Sequence, residues 1–215
     1  MSDSIDLEEV EKKAWRSTFE DGLLDIYFGI LHLNLGIGII FNDILSESLS
    51  IIILLTIMGL GLLFFLLGKK FISQPRLGRA KFGRKRTTRK LKTIAILTVN
   101  FLIILIIFLV GVLNPNFKSK LPGYLNGLFM GLLFVTFPLS FVAYILQFNR
   151  LYIIAILIGI SFFLDELFAL LLVPEPFDSV LAFGITSVII LSMGIFVFIR
   201  FLRKYPLTRE EMVKK

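Results

Sequence analysis

Residues 50–68 read SIIILLTIMGLGLLFFLLG, a stretch without an ionisable side chain. A helix of that length crosses the hydrocarbon of a bilayer, which takes about 20 apolar residues. Similar runs recur on both sides, at roughly 22–41, 93–113, 123–147, 151–172 and 179–201. Six spans use most of the 215 residues and leave too little chain for a separate soluble domain. The composition agrees: 56% is hydrophobic and 18% charged, where soluble domains average about 45–50% and 25%. The expected fold is all-α, a polytopic membrane protein of six transmembrane helices. A soluble enzyme is excluded.

Orientation follows from the Lys and Arg residues between the runs. The connection 69–92 carries eleven: Lys69, Lys70, Arg76, Arg79, Lys81, Arg84, Lys85, Arg86, Arg89, Lys90 and Lys92. Placing it in the cytoplasm brings both termini and Arg150 to the same side. That leaves Lys118 and Lys120 outside, against twenty-one cations inside. The other outer connections are acidic, with Asp43, Glu47, Glu175 and Asp178. The expected location is a plasma membrane with N- and C-termini cytoplasmic. The segment MSDSIDLEEVE lacks the basic start of a signal peptide, so the first span is expected to stay in the mature protein.

Residues 6–19 have an amphipathic pattern. Asp6 and Glu9 have capping-box spacing, Leu7, Val10, Ala14 and Thr18 form a stripe, and Glu8/Lys12 and Glu9/Lys13 are favourable pairs. An interfacial helix is expected, with Trp15 and Phe19 at headgroup level; a solvated arm is the alternative. The organisation is then 1–21 as an interfacial helix, 22–201 as the six-span domain with its basic loop 69–92, and 202–215 as a basic tail.

Weak internal matches keep their order in the two halves. Phe41-Asn42 corresponds to Phe148-Asn149, Asp21-Gly22-Leu23 to Asn126-Gly127-Leu128, and Gly59 to Gly159. Three spans per repeat would make the second repeat inverted, an architecture of many secondary transporters. Six unrelated spans remain the alternative.

The segments Asp21-Gly22-Leu23-Leu24-Asp25-Ile26-Tyr27-Phe28-Gly29 and Gln74-Pro75-Arg76-Leu77-Gly78-Arg79-Ala80-Lys81-Phe82 resemble a family of uncharacterised prokaryotic multi-span membrane proteins. Those carry a similar Asp-Gly…Asp…Gly entry and a basic Pro-Arg-x-Gly segment. The resemblance implies an integral membrane protein of prokaryotic type and brings no activity with it.

Ionisable groups inside spans cost about 2.5–3.5 kcal/mol each near the membrane centre, so each needs a reason. Asp25, Gly29, His32 and Gly36 share one face of the first span, and the glycines there admit close helix contact. Asn100 lies in the third span, and Asp165 and Glu166 in the outer half of the fifth. A cation or proton site between spans 1, 3 and 5 would use Asp165 or Glu166 with His32 and Asn100. Against this, Asp25 reads as an interfacial residue paired with a nearby cation, and His32 and Asn100 as interhelical hydrogen-bonding groups. Asp165 and Glu166 point about 100° apart, which disfavours one narrow site holding both.

Other chemistries lack their residues. There is no Cys and a single His, so neither thiolate nor multi-His metal sites form, and phosphate and dinucleotide motifs are absent. No metal or cofactor is expected, and enzymatic activity is disfavoured. In the basic loop, Arg76, Arg79, Lys81, Arg84, Lys85, Arg86, Arg89, Lys90 and Lys92 are candidates for anionic headgroups. Phe71 and Phe82 alone offer stacking surface, too little for nucleic acid. The sequence favours a transporter or channel for an ion or small solute. The rival is a non-transporting scaffold or lipid-binding protein using the basic loop.

Overall fold

The computed structural model describes residues 15–78, 84–113 and 122–206, the side chains at 84–87, 90, 108, 111 and 112 excepted. The helices are α1 (Leu23–Ile44), α2 (Glu47–Gly68), α3 (Gln74–Leu77), α4 (Arg84–Leu113), α5 (Gly123–Met130), α6 (Phe137–Leu146), α7 (Arg150–Leu170) and α8 (Phe177–Lys204). Among the described residues there is no strand. π-helical turns at Lys69–Ser73 and Gly131–Thr136 join α2 to α3 and α5 to α6. Five rods are long and apolar enough to cross a membrane: α1, α2–α3, α5–α6, α7 and α8. The sixth, α4, has 30 residues, and its apolar part Leu91–Ile107 falls in the expected third span. The chain is a multi-pass helical membrane protein with the expected layout.

The connection 69–92 is mostly helix rather than loop. Hydropathy stops at the first lysines, but Lys and Arg are good helix formers, so the helix continues through them. It ends at Gly78, whose φ of 77° and ψ of 179° leave the helical region for a backbone conformation that glycine alone adopts readily. On the other side α4 starts at Arg84, well before its apolar part.

Each π turn stops one residue before an x-Pro step. Gln74 N–H bonds the Lys69 carbonyl ahead of Pro75, and Phe137 N–H bonds the Leu132 carbonyl ahead of Pro138. A proline ring collides with the carbonyl four residues back and supplies no N–H. Widening the turn to a five-residue spacing relieves that collision and keeps the rod continuous. The carbonyl four residues before Pro138 belongs to Phe134, and Asn100 Nδ2 on α4 donates to it at 3.1 Å.

The spans lie side by side in the order 2, 1, 6, 5, 4, 3. The closest packing is between α1 and α8, and α4 at one end rests on α6. Gly123, Gly127 and Gly131 recur at every fourth residue against α7, where a Cβ would strike Glu166, the Phe162 carbonyl and the Gly159 carbonyl respectively. In a membrane, where lipid is as apolar as leucine, such backbone contact drives association. The core gathers Val142, Ala143, Leu151, Ile154, Ile158 and Ile190 from α6, α7 and α8. Leucine, isoleucine and phenylalanine on α2 and α4 are largely exposed, as suits a lipid-facing surface.

The halves correspond in part. The pairing of spans 1 and 2 recurs in 4 and 5, and that of 1 and 6 in 4 and 3. The contact between spans 5 and 6 has no equally extensive counterpart between 2 and 3. Gly159 is in tight backbone contact while its match Gly59 has nothing within 4 Å.

Of the expected N-terminal helix, residues 6–14 lie outside the described residues. Trp15 is buried, and its Nε1 donates to the Leu146 carbonyl at 2.7 Å. Phe19 stacks on Phe148 at 5.0 Å. Both rings, expected among headgroups, are taken up by the end of the bundle. The last carbonyls of α6 lack helical donors, and an indole N–H satisfies one while its ring stays in apolar contact.

Candidate functional site

One end of the bundle is acidic. A cavity of about 240 Å³ there is lined by Ile39 of α1, Asp165 and Glu166 of α7, Glu175 of the following turn, and Asp178 and Ser179 of α8. Ser179 Oγ donates to Asp165 Oδ1 at 2.5 Å, and Ser179 N–H donates to Asp178 Oδ1 at 2.7 Å. Asp178 sits in the first turn of α8, where free N–H groups favour a negative charge. Asp165 and Glu166 therefore line one cavity despite their angular separation. The cavity is broad, and the absent side chain of Gly123 leaves room for the Glu166 carboxylate. Lys118 and Lys120, the two cations expected on the outer side, lie outside the described residues.

Towards the middle, α1 presents the glycine face read from its spacing to α8. Gly36 meets Phe183 and Gly29 meets Leu191. His32, 2% exposed, lies between them with Nε2 2.8 Å from Thr186 Oγ1. The threonine hydroxyl donates to the Ala182 carbonyl at 2.9 Å, so it accepts from His32, which assigns the ring proton to Nε2. His32 Nδ1 is buried with no hydrogen-bond partner among the described residues. The Phe183 ring meets the imidazole edge-on at 5.4 Å.

The opposite end is built from two carboxylates, one turn apart, flanking the start of α1. Asp21 and Asp25 are both fully buried. Lys69 Nζ bonds Asp21 Oδ2 at 2.7 Å and the Thr18 carbonyl at 2.5 Å, and Ser73 Oγ adds a bond to the same carboxylate oxygen at 2.5 Å. Arg150 Nε bonds Asp25 Oδ2 at 2.8 Å, and its Nη2 bonds the Phe19 carbonyl. Glu20 is tied to Lys204 and Tyr205, each at 3.1 Å. Between Asp21 and Asp25, Gly22 has φ 69° and lies so close to the Gly194 carbonyl that no Cβ fits. Residues 15–25 thus bind the ends of four other rods together.

The candidates named from sequence are not brought into one site. His32 pairs between spans 1 and 6, Asp165 between 5 and 6, and Asn100 with the backbone of span 4. What converges is the seam of spans 1, 5 and 6. Sequence reading passed over Asp21, Lys69 and Arg150 as a buried ion-pair set, although Asp21 and Asp25 at four-residue spacing beside a basic end carried the signal. Among the lipid candidates, Arg76 Nη1 bonds the Ile72 carbonyl, Arg89 lies over the Trp15 ring at 5.2 Å, and Lys92 is exposed. Arg79 and Lys81, and the side chains of Arg84, Lys85, Arg86 and Lys90, lie outside the described residues. Among the described residues no group of three or more His, Asp or Glu is placed to hold a metal ion.

Comparison with known protein families, characterised proteins and solved structures finds no match to this chain.

In chemical terms, the acidic cavity attracts cations. His32 offers a buried acceptor part-way along the seam. The far end is closed by ion pairs that depend on two carboxylates keeping their charge.

Proposed function

We propose that the chain is a small carrier for a cation or a small cationic solute, loaded from the acidic cavity and passed along the seam of spans 1, 5 and 6. The cavity carries this reading: Asp165, Glu166, Glu175 and Asp178 surround a space of about 240 Å³ with no lysine or arginine among the described residues of its lining. Carboxylates in low dielectric are costly unless a cation or proton visits them, and a purely structural span would be more stable with leucine at those positions. With the basic ends cytoplasmic, the cavity faces outward, and both termini lie inside a prokaryotic plasma membrane. The family resemblance of the Asp21–Gly29 and Gln74–Phe82 segments belongs to the same proposal.

The test is flux in proteoliposomes, with protons, alkali cations and small alkylammonium ions offered in turn. One of these is expected to move down its gradient, and Asp165→Asn or Asp178→Asn should reduce that flux at least tenfold, as expected when a desolvated pair losing one partner costs more than 1.4 kcal/mol. Helicity and vesicle insertion should be unchanged. No flux of any probe, or flux indifferent to both substitutions, sinks the carrier.

The rival reading, a lipid-organising scaffold, draws on Lys70, Lys92, Arg200 and Arg203, all exposed at the basic end. Each such cation near an anionic surface contributes about 1 kcal/mol. Replacing Arg84, Lys85, Arg86, Arg89 and Lys90 with Gln is expected to reduce co-purified anionic lipid and its salt sensitivity. Unchanged lipid retention leaves those residues a topological role alone.

A further inference from the structure

Asp25 combines three features that a structural ion pair does not need together. It is fully buried, one carboxylate oxygen is taken by Arg150, and the other, Oδ1, is buried without a hydrogen-bond partner among the described residues. A pair retained for stability alone gains by satisfying both oxygens. Its partner is not locked away: the Arg150 side chain keeps 28% of its surface exposed at the basic end. Among the described residues, the charged groups around Asp25 are Arg150 from α7, Asp21 from its own segment and Lys69 beyond it, while α8 faces it with the backbone of Gly194.

The second observation is what Arg150 holds besides Asp25. Its other nitrogen bonds the Phe19 carbonyl, as Lys69 bonds that of Thr18. Each cation therefore clips a carboxylate at the entry of α1 to the turn that folds under the bundle. Trp15 and Phe19, at the far side of that turn, cover the ends of α6 and α7. Loss of the charge on Asp25 removes the anchor that positions Arg150, and with it one of the two clips.

We propose that Asp25 is a proton-binding site that controls closure of the basic end. Its carboxylate takes a proton from water and becomes a neutral carboxyl. Arg150 stays cationic and turns to its exposed side. The Phe19 carbonyl is released, and the segment 15–20 loosens from the bundle about the left-handed Gly22. Where the acidic cavity loads a cation, this site would open the other end. In that sense the inference rests on the carrier reading, but the protonation and the release are measurable without any flux.

Trp15 is the single tryptophan of the chain and lies inside the moving segment, so the native protein carries its own reporter. The experiment records Trp15 emission and acrylamide quenching across pH in full-length protein reconstituted in neutral-lipid vesicles. Acidification is expected to shift the emission to the red and strengthen quenching several-fold. Asp25→Asn and Arg150→Gln should show the released signal at every pH, and Asp165→Asn should keep the pH step. Asp25→Glu guards against a folding defect, because it preserves the titrating group and should preserve the step. In parallel, infrared spectra should gain a protonated carboxyl band on acidification, lost in Asp25→Asn and kept in Asp165→Asn. A Trp15 signal indifferent to pH and to Asp25→Asn overturns the site, even if flux is found. A clear step with no flux of any probe overturns the carrier and leaves the site standing.

Discussion

Gly59 and Gly159 look alike in sequence and differ in what surrounds them. Each sits in an apolar helix in an Ile/Leu-rich context, and the internal match places one over the other. At Gly159 an added Cβ would run into Thr136 Oγ1 and the Gly131 backbone, whereas at Gly59 it meets nothing within 4 Å. Gly159→Ala is therefore expected to destabilise the bundle by about 1–3 kcal/mol, the usual cost of overpacking. Gly59→Ala should be neutral or stabilise by up to about 1 kcal/mol through helix propensity. Thermal unfolding in detergent separates the two, and equal effects would contradict the contact of α7 with the π turn Gly131–Thr136. The same scale shows why Asp25 was hard to read. Its position suggested an interfacial carboxylate paired with a nearby cation; the cation it meets, Arg150, is 125 residues away, beyond any local pattern.

At the level of elements, proline spacing leaves a trace that hydropathy does not register. Pro138 lies inside an apolar run, and the structure absorbs it as a π turn and satisfies the freed Phe134 carbonyl from α4. Asn100 then has a definite task, which explains a polar side chain in the third span without a transport role. Asn100→Leu is expected to cost about 1 kcal/mol, the typical worth of a polar contact between membrane helices. In a Pro138→Ala background the N–H of residue 138 can return to that carbonyl, so the same change should cost much less. A double-mutant cycle on unfolding free energy measures the difference. Additive effects would mean that Asn100 serves some other group. The basic connection gives the matching lesson. Charge marks where the membrane ends, whereas the helix ends only where backbone geometry stops it, at Gly78.

For the whole molecule, the charge count makes the most direct prediction. With no native cysteine, a single Cys at position 84 should react with an impermeant thiol reagent only after the membrane of intact cells is opened. Labelling from outside would reverse the orientation, and the acidic cavity would then face inward. The class, the six spans and the contrast between a basic and an acidic end were legible in the sequence, because each depends on the transfer of contiguous residues between water and lipid, a local quantity. Which polar groups meet was not legible. His32 met Thr186 rather than Asn100 or Asp165, Asp25 met Arg150, and residues 15–25 became the tie for the other rods. Hydropathy is nearly uniform around these helices, so it sets their depth but not which face turns to which neighbour. Those faces were decided by glycines that let backbones touch, and by buried hydrogen bonds that form only when the right pair of rods lies side by side.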